Sequence, residues 1–455
     1  MANQHAQVQF PPSPQLTAAS AILCKLQSIG HTAYFAGGCV RDALLQIPPK
    51  DYDIATSATP DIVRKLFPKS RYVGESFGVV LVYQSRIPIE VATFRLEWGY
   101  TDGRRPDNVQ FTDAEHDAAR RDFTINGLFA DIPNHELDEH QPLTANVIDF
   151  VQGLTDLQSK TIRAIGDPQE RFAEDYLRML RAIRFAARLG FTIASPTANA
   201  IRNHAKYLGQ ISRERIGGEL QNMLTGSNPH DAIFLIHQLK LDGPILNNDH
   251  QSLLEHDPLP ILTHLSNQRL DSEPNIPFAY PTFLAGWLLD RFFHKTSLVP
   301  SLPHITTFLC EHFRITGIRK ALSLSNETQT ILVGILNLLP QLNGWSSFTI
   351  AEQKRILASP YFPHTLPLTY AIAPNLAASI STDADNLAND PAGISPTPFL
   401  TGEDLITLGL SPSPQFKKIL DTAYDLQLDL SHTSRDAALD WLRQNHTPPP
   451  PASSD

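Results

Sequence analysis

Gly37-Gly38-Cys39-Val40-Arg41-Asp42 is followed, after a Pro-containing connector, by Asp51-Tyr52-Asp53-Ile54-Ala55-Thr56, and these two stretches decide how the first third of the chain folds. Ala33–Ala36, ahead of the glycines, reads as a short strand. Glycines after a strand let the backbone approach an anion, which Arg41 can neutralise. The GxGxxG spacing of a dinucleotide site is absent, and a Gly-Gly pair alone is usually just a turn. Asp51 and Asp53 are more pointed. Residues i and i+2 of a strand share a face, so the two carboxylates stand close and repel unless a cation lies between them. Oxygen-only ligation suits Mg²⁺, which takes one or two carboxylates and completes its shell with water and substrate phosphates. The bland alternative is a solvated strand end.

Further β-like runs at Gly78–Tyr83, Ile89–Phe94 and Val147–Phe150, with Asp51–Ala55, predict an α/β domain of modest size up to about residue 150. Leu16 to Ile29 has helical spacing ahead of the first strand, and Thr59-Pro60-Asp61 starts a helix with a cap followed by Pro. Glu90 falls in the Ile89–Phe94 run as a third oxygen donor or as a salt-bridge partner of Arg95. Three carboxylates converging from adjacent strands are the apparatus of two-metal phosphoryl or nucleotidyl transfer. Two arginine pairs follow, Arg104-Arg105 and Arg120-Arg121. Each is either a solvated charge or a contact to triphosphate or ribose, where a guanidinium fork fits better than an ammonium. Arg121 and Asp122 run straight into apolar Phe123–Ile132, which favours the functional reading.

From Asp167 the period becomes helical, as in Phe172–Leu189, Ser195–Leu208 and Arg215–Leu224, and the rest of the chain reads as mostly α. On a helix through Glu174–Phe185, Asp175 and Arg178 are i and i+3, so their heads can lie side by side. An acceptor beside a donor matches the edge that cytosine and adenine share and that uracil and guanine lack, so one pair could read CTP and ATP while rejecting UTP and GTP. A plain salt bridge is the alternative. Arg178, Arg181 and Arg184 wind round the same helix, so some of them must meet an anion or a carboxylate. Breaks at Asn247–Pro260, Asp271–Pro281 and Asn375–Pro398 read as loops, and His446–Asp455 as a disordered tail.

The chain's 455 residues, 42% hydrophobic and 18% charged, suffice for about three domains and exclude a mainly disordered or fibrous protein. No secretion signal or long apolar span is present, so the expectation is a soluble protein with no membrane partner, working in the cytoplasm. Cys24, Cys39 and Cys310 are widely spaced and read as inert thiols. A net charge of -10 discourages a nucleic-acid reading, yet Lys160 to Arg215 holds eleven basic residues against five acidic ones. A basic island on an acidic body can still hold a polyanion. His135-Glu136 with His140 is one residue too long for HExxH, and His256-Asp257 lacks the companions a metal phosphohydrolase needs.

Taken in order, GGCVRDALL, KDYDIAT, EVATFR with DGRRPDNVQF, RRDFTINGL, GDPQERFAEDYLRMLRAIRFAARLGF and ISRERIGGEL resemble the class II CCA-adding enzyme and bacterial poly(A) polymerase family. The likeness runs from about residue 34 to 224 and returns weakly at Leu400–Leu405 through Leu442. It implies an α+β fold: an N-terminal polymerase β-like nucleotidyltransferase head over 1–150, an all-α neck over 151–230, and an α-helical body and tail over 231–445 that hold RNA. It further implies that Asp51 and Asp53 bind Mg²⁺, with Glu90 beside them, and that Gly37, Gly38 and Arg41 take the nucleotide's phosphates. Arg121 and Asp122 would contact the nucleotide, and Asp175, Arg178, Arg181 and Arg184 would form its pocket. Leu96–Asn108 corresponds to the family's flexible loop, which favours complete CCA addition. The expected reaction adds CCA to the 3′ end of tRNA from CTP and ATP, without DNA as a partner. An A-adding enzyme, a poly(A) polymerase and a catalytically silent RNA-binding protein remain as alternatives. Gly127 and Tyr176 stand where the family more often has Ala and Pro, residues 133–145 resemble a small insertion, and residues 230–400 give little recognisable signal.

Overall fold

The computed structural model describes residues 6–73, 78–99, 108–132, 141–247, 259–271, 279–296, 300–305, 315–390 and 392–446. Arg104, Arg105, His135, Glu136, His140, His256, Asp257, Cys310 and the tail beyond His446 lie outside these. The chain divides into two compact units, Met1–His256 with Lys320–Ser323, and Asp257–Arg319 with Leu324–Asp455.

The first unit begins with β1 (Gln7–Phe10), α1 (Pro14–Ser28), β2 (Ala33–Ala36), α2 (Gly38–Leu44), β3 (Asp53–Thr56), α3 (Pro60–Leu66), β4 (Ser70–Tyr72), β5 (Val79–Gln84) and β6 (Ile87–Thr93). A separate hairpin of β7 (Arg95–Trp98) and β8 (Asn108–Phe111) leads to α4 (Ala114–Ala119), β9 (Phe129–Asp131) and β10 (Leu143–Ile148). One eight-stranded sheet results, in the order β1-β10-β9-β2-β3-β6-β5-β4. Its β3 and β6 are parallel, and its other neighbours antiparallel. In β6, Ile89, Val91 and Thr93 are buried while Glu90 faces out, the alternation a one-sided sheet requires. α1 starts where Ser13 accepts the Leu16 N–H at 3.1 Å, and it buries Leu16, Ile22, Leu23 and Leu26. Thr59 occupies the cap position of α3 but makes no side-chain cap bond.

After the sheet come α5 (Gly153–Gln158), α6 (Pro168–Glu174), α7 (Leu177–Leu189), α8 (Ser195–His204), a 3₁₀ turn over Ala205–Gln210 and α9 (Arg213–Leu224). The single helix expected over Phe172–Leu189 is therefore two. Thr161–Ile162 pairs with Thr192–Ile193 as a minimal parallel ladder, which the helical pattern concealed.

In the second unit, helices over Pro260–Asp271, Tyr280–Thr296, Asn326–Gln341 and Phe362–Ile372 bury Phe283, Trp287, Leu332 and Leu368. Asp290 accepts the Ile261 and Leu262 N–H groups at 3.0 and 2.9 Å, capping the first of these helices through space. Pro374–Ala388 is also a helix, against the expected loop over Asn375–Pro398. Its polar composition hid a helix that needs only Ala377 and Ile380 as its buried stripe, with Pro374 at its first position. The last helices, Gly402–Thr407, Pro414–Leu428 and Arg435–Asn445, close a small core of Leu400, Leu405, Ala423, Ala438 and Leu442. The architecture is α+β, a mixed sheet followed by helices. Among the described residues no helix is long and apolar enough to cross a membrane.

Candidate active site

Tyr52 is buried against Phe10 and Phe35, with ring centroids 5.9 and 5.7 Å away, so the aspartates on either side of it turn outward together. The strand itself begins at Asp53 rather than Asp51. The β3–β6 register sets Ile54 opposite Val91, which brings Glu90 alongside Asp53 on the same outward face. Arg95, the alternative partner for Glu90, is bonded instead to Glu97 at 2.5 Å.

Burial pushes the Asp53 carboxyl up to about 6, helped by the negative charges of Glu90 and Asp51 and opposed by Arg121. Two features suit a hard divalent cation here: the donors are all oxygen, and their mutual repulsion is what a cation would relieve. The close trio expected from the sequence is not assembled, because among the described residues no three His, Cys, Asp or Glu side chains form a metal-holding group. Cys39, below the glycine turn, has its thiol pushed up to about 12 by burial and by Asp53, which makes it inert.

Gly37 adopts φ +67°, which favours glycine, and a Cβ there would stand 2.8 Å from Arg121 Nη1 and oblige that guanidinium to move. Gly38 opens α2, which carries Arg41 inward until it is only 3% exposed. Arg41 donates to Asp42 at 2.8 Å and to Asn126 Oδ1 at 2.5 Å. Arg121 donates to Asp117 at 3.0 Å and to the Asn126 carbonyl at 3.2 Å. Asp122 accepts from Arg181 at 2.8 Å, from Asn126 Nδ2 at 3.0 Å and from the Phe123 N–H at 2.8 Å. Burial alone would raise the Asp122 carboxyl, but Arg181 and these hydrogen bonds hold it down at about 2. Asp122 therefore orients Arg181 directly and Arg41 through Asn126.

Asp175 and Arg178 do not form the side-by-side pair expected of one continuous helix. Asp175 lies in the gap between α6 and α7 with φ -155°, where its carboxylate accepts the Leu177 N–H at 3.0 Å and restarts the helix. Its other oxygen binds Arg215 of α9 at 2.6 Å, while Arg178 turns back to Glu174 and to the Arg171 carbonyl. Both still face the same cavity. The four arginines of α7 each meet a carboxylate: Arg178 meets Glu174, Arg181 meets Asp122, Arg184 meets Glu219 at 2.7 Å, and Arg188 meets Asp42 at 2.8 Å. At their centre lies Phe185, with the guanidinium carbons of Arg41, Arg181 and Arg184 at 5.0, 5.4 and 4.4 Å from its ring.

A cleft of about 780 Å³ collects Gly37, Gly38, Arg41, Asp51, Asp53, Glu90, Arg121, Asp122, Asp175, Arg178, Arg181 and Arg184 on its walls. These are all twelve residues singled out from the sequence. It adds Arg120, the other member of the Arg120-Arg121 pair, and Arg95, Asn126, Phe185 and Arg215, which the sequence did not mark as site residues. Asn126 and Phe185 carry no charge to mark them, and Arg215 is 40 residues from its partner Asp175. Eight arginines face five carboxylates in this cleft, a balance that favours a polyanionic ligand beside a cation.

Residues 33–163 match the model of the poly(A) polymerase head domain, and 190–246 match a probable RNA and SrmB-binding site of polymerase A. The CCA-adding enzyme of Lacticaseibacillus paracasei is 33% identical over 422 residues, 90% of this chain and 91% of the relative. That of Pediococcus pentosaceus is 47% identical over 213 residues, covering 47% of this chain and 51% of its own. Among solved structures, the Bacillus stearothermophilus CCA-adding enzyme in complex with CTP superposes with a TM-score of 0.68 at 26% identity, over 95% of this chain and 98% of that one. The Thermotoga maritima CCA-adding enzyme complexed with tRNA shares the fold, with a TM-score of 0.63 at 19% identity over 95% and 96% of the two chains. With that agreement along nearly its whole length, the chain belongs to the family of CCA-adding enzymes and poly(A) polymerases.

Proposed function

We propose that the chain completes the 3′ end of tRNA by adding C, C and A from CTP and ATP, in the cytoplasm and with Mg²⁺ as its divalent metal. The observation that carries the reading is the gathering of paired carboxylates, a glycine turn and eight arginines in one cleft. Members of this family are nucleotidyltransferases and need a divalent cation. Asp51 and Asp53 are the residues to hold it, with Glu90 nearby. Bound there, the ion would acidify the attacking hydroxyl and neutralise charge on the triphosphate.

The RNA's terminal 3′-hydroxyl attacks the α-phosphorus, the bond to the bridging oxygen breaks, and pyrophosphate leaves. No protein nucleophile is needed. Gly37, Gly38, Arg41 and Arg121 receive phosphates, and Arg181 and Arg184 stabilise charge that develops on them. Asp175 and Arg178 supply an acceptor and a donor toward the base from opposite sides of the α6–α7 gap, rather than as neighbours on one helix. The catalytic head is assigned to 1–150, the neck to 151–230, and RNA holding to the neck and to 231–445.

The test supplies tRNA transcripts ending before CCA, after C and after CC, and an unrelated RNA, with each nucleotide alone and with CTP plus ATP. Three additions and a stop on the first transcript support the reading. One A added only to the CC-ending transcript would make it an A-adding enzyme, and long A tails on every RNA a poly(A) polymerase. Asp51→Asn and Asp53→Asn are each expected to lower turnover at least about 10³-fold while RNA binding persists. Turnover within tenfold of wild type in either would remove that residue from the role.

A further inference from the structure

The rings of Tyr176 and Tyr207 are stacked, with centroids 5.3 Å apart and planes 22° from parallel. His204 completes a triangle with them at 5.6 and 5.7 Å. Two segments distant in sequence supply this cluster: the α6–α7 gap, and the end of α8 with the 3₁₀ turn that continues it. All three residues are only half-buried, unlike neighbouring Phe172 and Leu208, which are fully enclosed. The Nδ1 atom of His204 has no hydrogen-bond partner, so ring contacts rather than hydrogen bonds hold the imidazole there. Exposed Lys206 places its ammonium 4.9 Å from the Tyr207 ring centre. Flat aromatic surface, left open and marked by a cation, is what a nucleic-acid base and its phosphate require.

Position narrows the ligand. Tyr176 is bonded directly to Asp175 and lies two residues before Arg178, and both of those line the cleft while Tyr176 does not. With the incoming nucleotide held by the cleft's own lining, the ring cluster, one residue along the chain from Asp175 of that lining, is left for the RNA strand that brings in the 3′-hydroxyl. His204 and Tyr207 also fall within residues 190–246, which match the RNA-binding model. We infer that Tyr176, Tyr207 and His204 form a stacking platform for one of the last bases of the RNA substrate, with Lys206 on the adjoining phosphate. This rests on the function proposed above, and it assigns to these rings a part in RNA placement that is separate from nucleotide selection.

The test uses the full chain and tRNA transcripts with 2-aminopurine at the last, second-last or third-last position, whose fluorescence falls on stacking against an aromatic ring. Wild type and Tyr207→Phe should quench at least one of the three. Tyr207→Leu and Tyr176→Leu should lose that quench and bind about tenfold more weakly, with KM for CTP unchanged. Lys206→Gln should lower the slope of log affinity against log salt by about one. Equal fluorescence in wild type and Tyr207→Leu at all three positions would overturn the platform. So would a loss in Tyr207→Leu that Tyr176→Leu does not share, since that points to packing at one residue. CTP incorporation into the same RNAs is measured in parallel. Quenching without incorporation would leave the platform standing and sink the functional reading, and incorporation without quenching would do the reverse.

Discussion

Asp122 in the cleft and Asp290 in the second unit are both buried, 8% and 3% exposed, and they titrate in opposite directions. Asp122 is held at about 2 because Arg181 and its hydrogen bonds outweigh burial. Asp290 is pushed up to about 7 because burial dominates the two backbone N–H groups it accepts. Depth alone therefore does not set the charge state; the neighbours do. In the cleft Asp122 and Arg181 hold each other ionised, whereas in the second unit this carboxyl is used to close a helix end.

The largest break of that contrast is expected from Asp122→Ala, which takes from Arg181 its ion-pair partner beside the other cleft arginines and frees Asn126 from its anchor. About 2–3 kcal/mol of stability should go, the low side for a buried pair because about a third of the Arg181 side chain stays exposed, and KM for CTP should rise. Denaturant unfolding checks this, with hydrogen exchange to place the loss in α7. An unchanged midpoint would mean that the pair is ornamental. Asp290→Ala should cost about 1–2 kcal/mol by orphaning two buried N–H groups, with faster exchange confined to Pro260–Asp271 and CTP binding unaffected.

The smallest effect is in pH. The folded carboxyl of Asp290 titrates above its unfolded value of 3.8, so between about pH 4 and 7 the folded state binds the extra proton and stability falls as pH rises. The expected loss between pH 6 and 7 is about 1 kcal/mol. Asp122 is depressed, so its contribution is intact throughout that interval and disappears only as pH falls from about 4 toward 2. Opening that grows in α7, where Asp122 holds Arg181, rather than in Pro260–Asp271 between pH 6 and 7 would reverse the assignment.

The aspartate pair was legible because buried Tyr52 turns both of its neighbours outward, although β3 itself begins only at Asp53. Arg178, Arg181 and Arg184 of the cleft were legible because a packed helix cannot expose all three to solvent. What failed was continuity. Asp175 was read as an interior helical residue, when its short carboxylate competes for the backbone and restarts the helix at Leu177. The helix Pro374–Ala388 was missed for the opposite reason, since its polar residues resemble a loop while two buried side chains suffice to seat it. Phe185 carries no charge to mark it, and only the fold shows three guanidinium groups gathered on its ring.

Each arginine on the cleft wall is already bonded to a carboxylate of the protein, from Arg41 with Asp42 to Arg215 with Asp175. A triphosphate entering this cleft therefore exchanges partners with anions the protein carries itself, and displaces few ions from solution. Those carboxylates act as built-in counterions. Nucleotide affinity should depend on ionic strength far less steeply than eight arginines suggest, while the grip on the longer RNA, carried by exposed side chains such as Lys206, remains the salt-sensitive step.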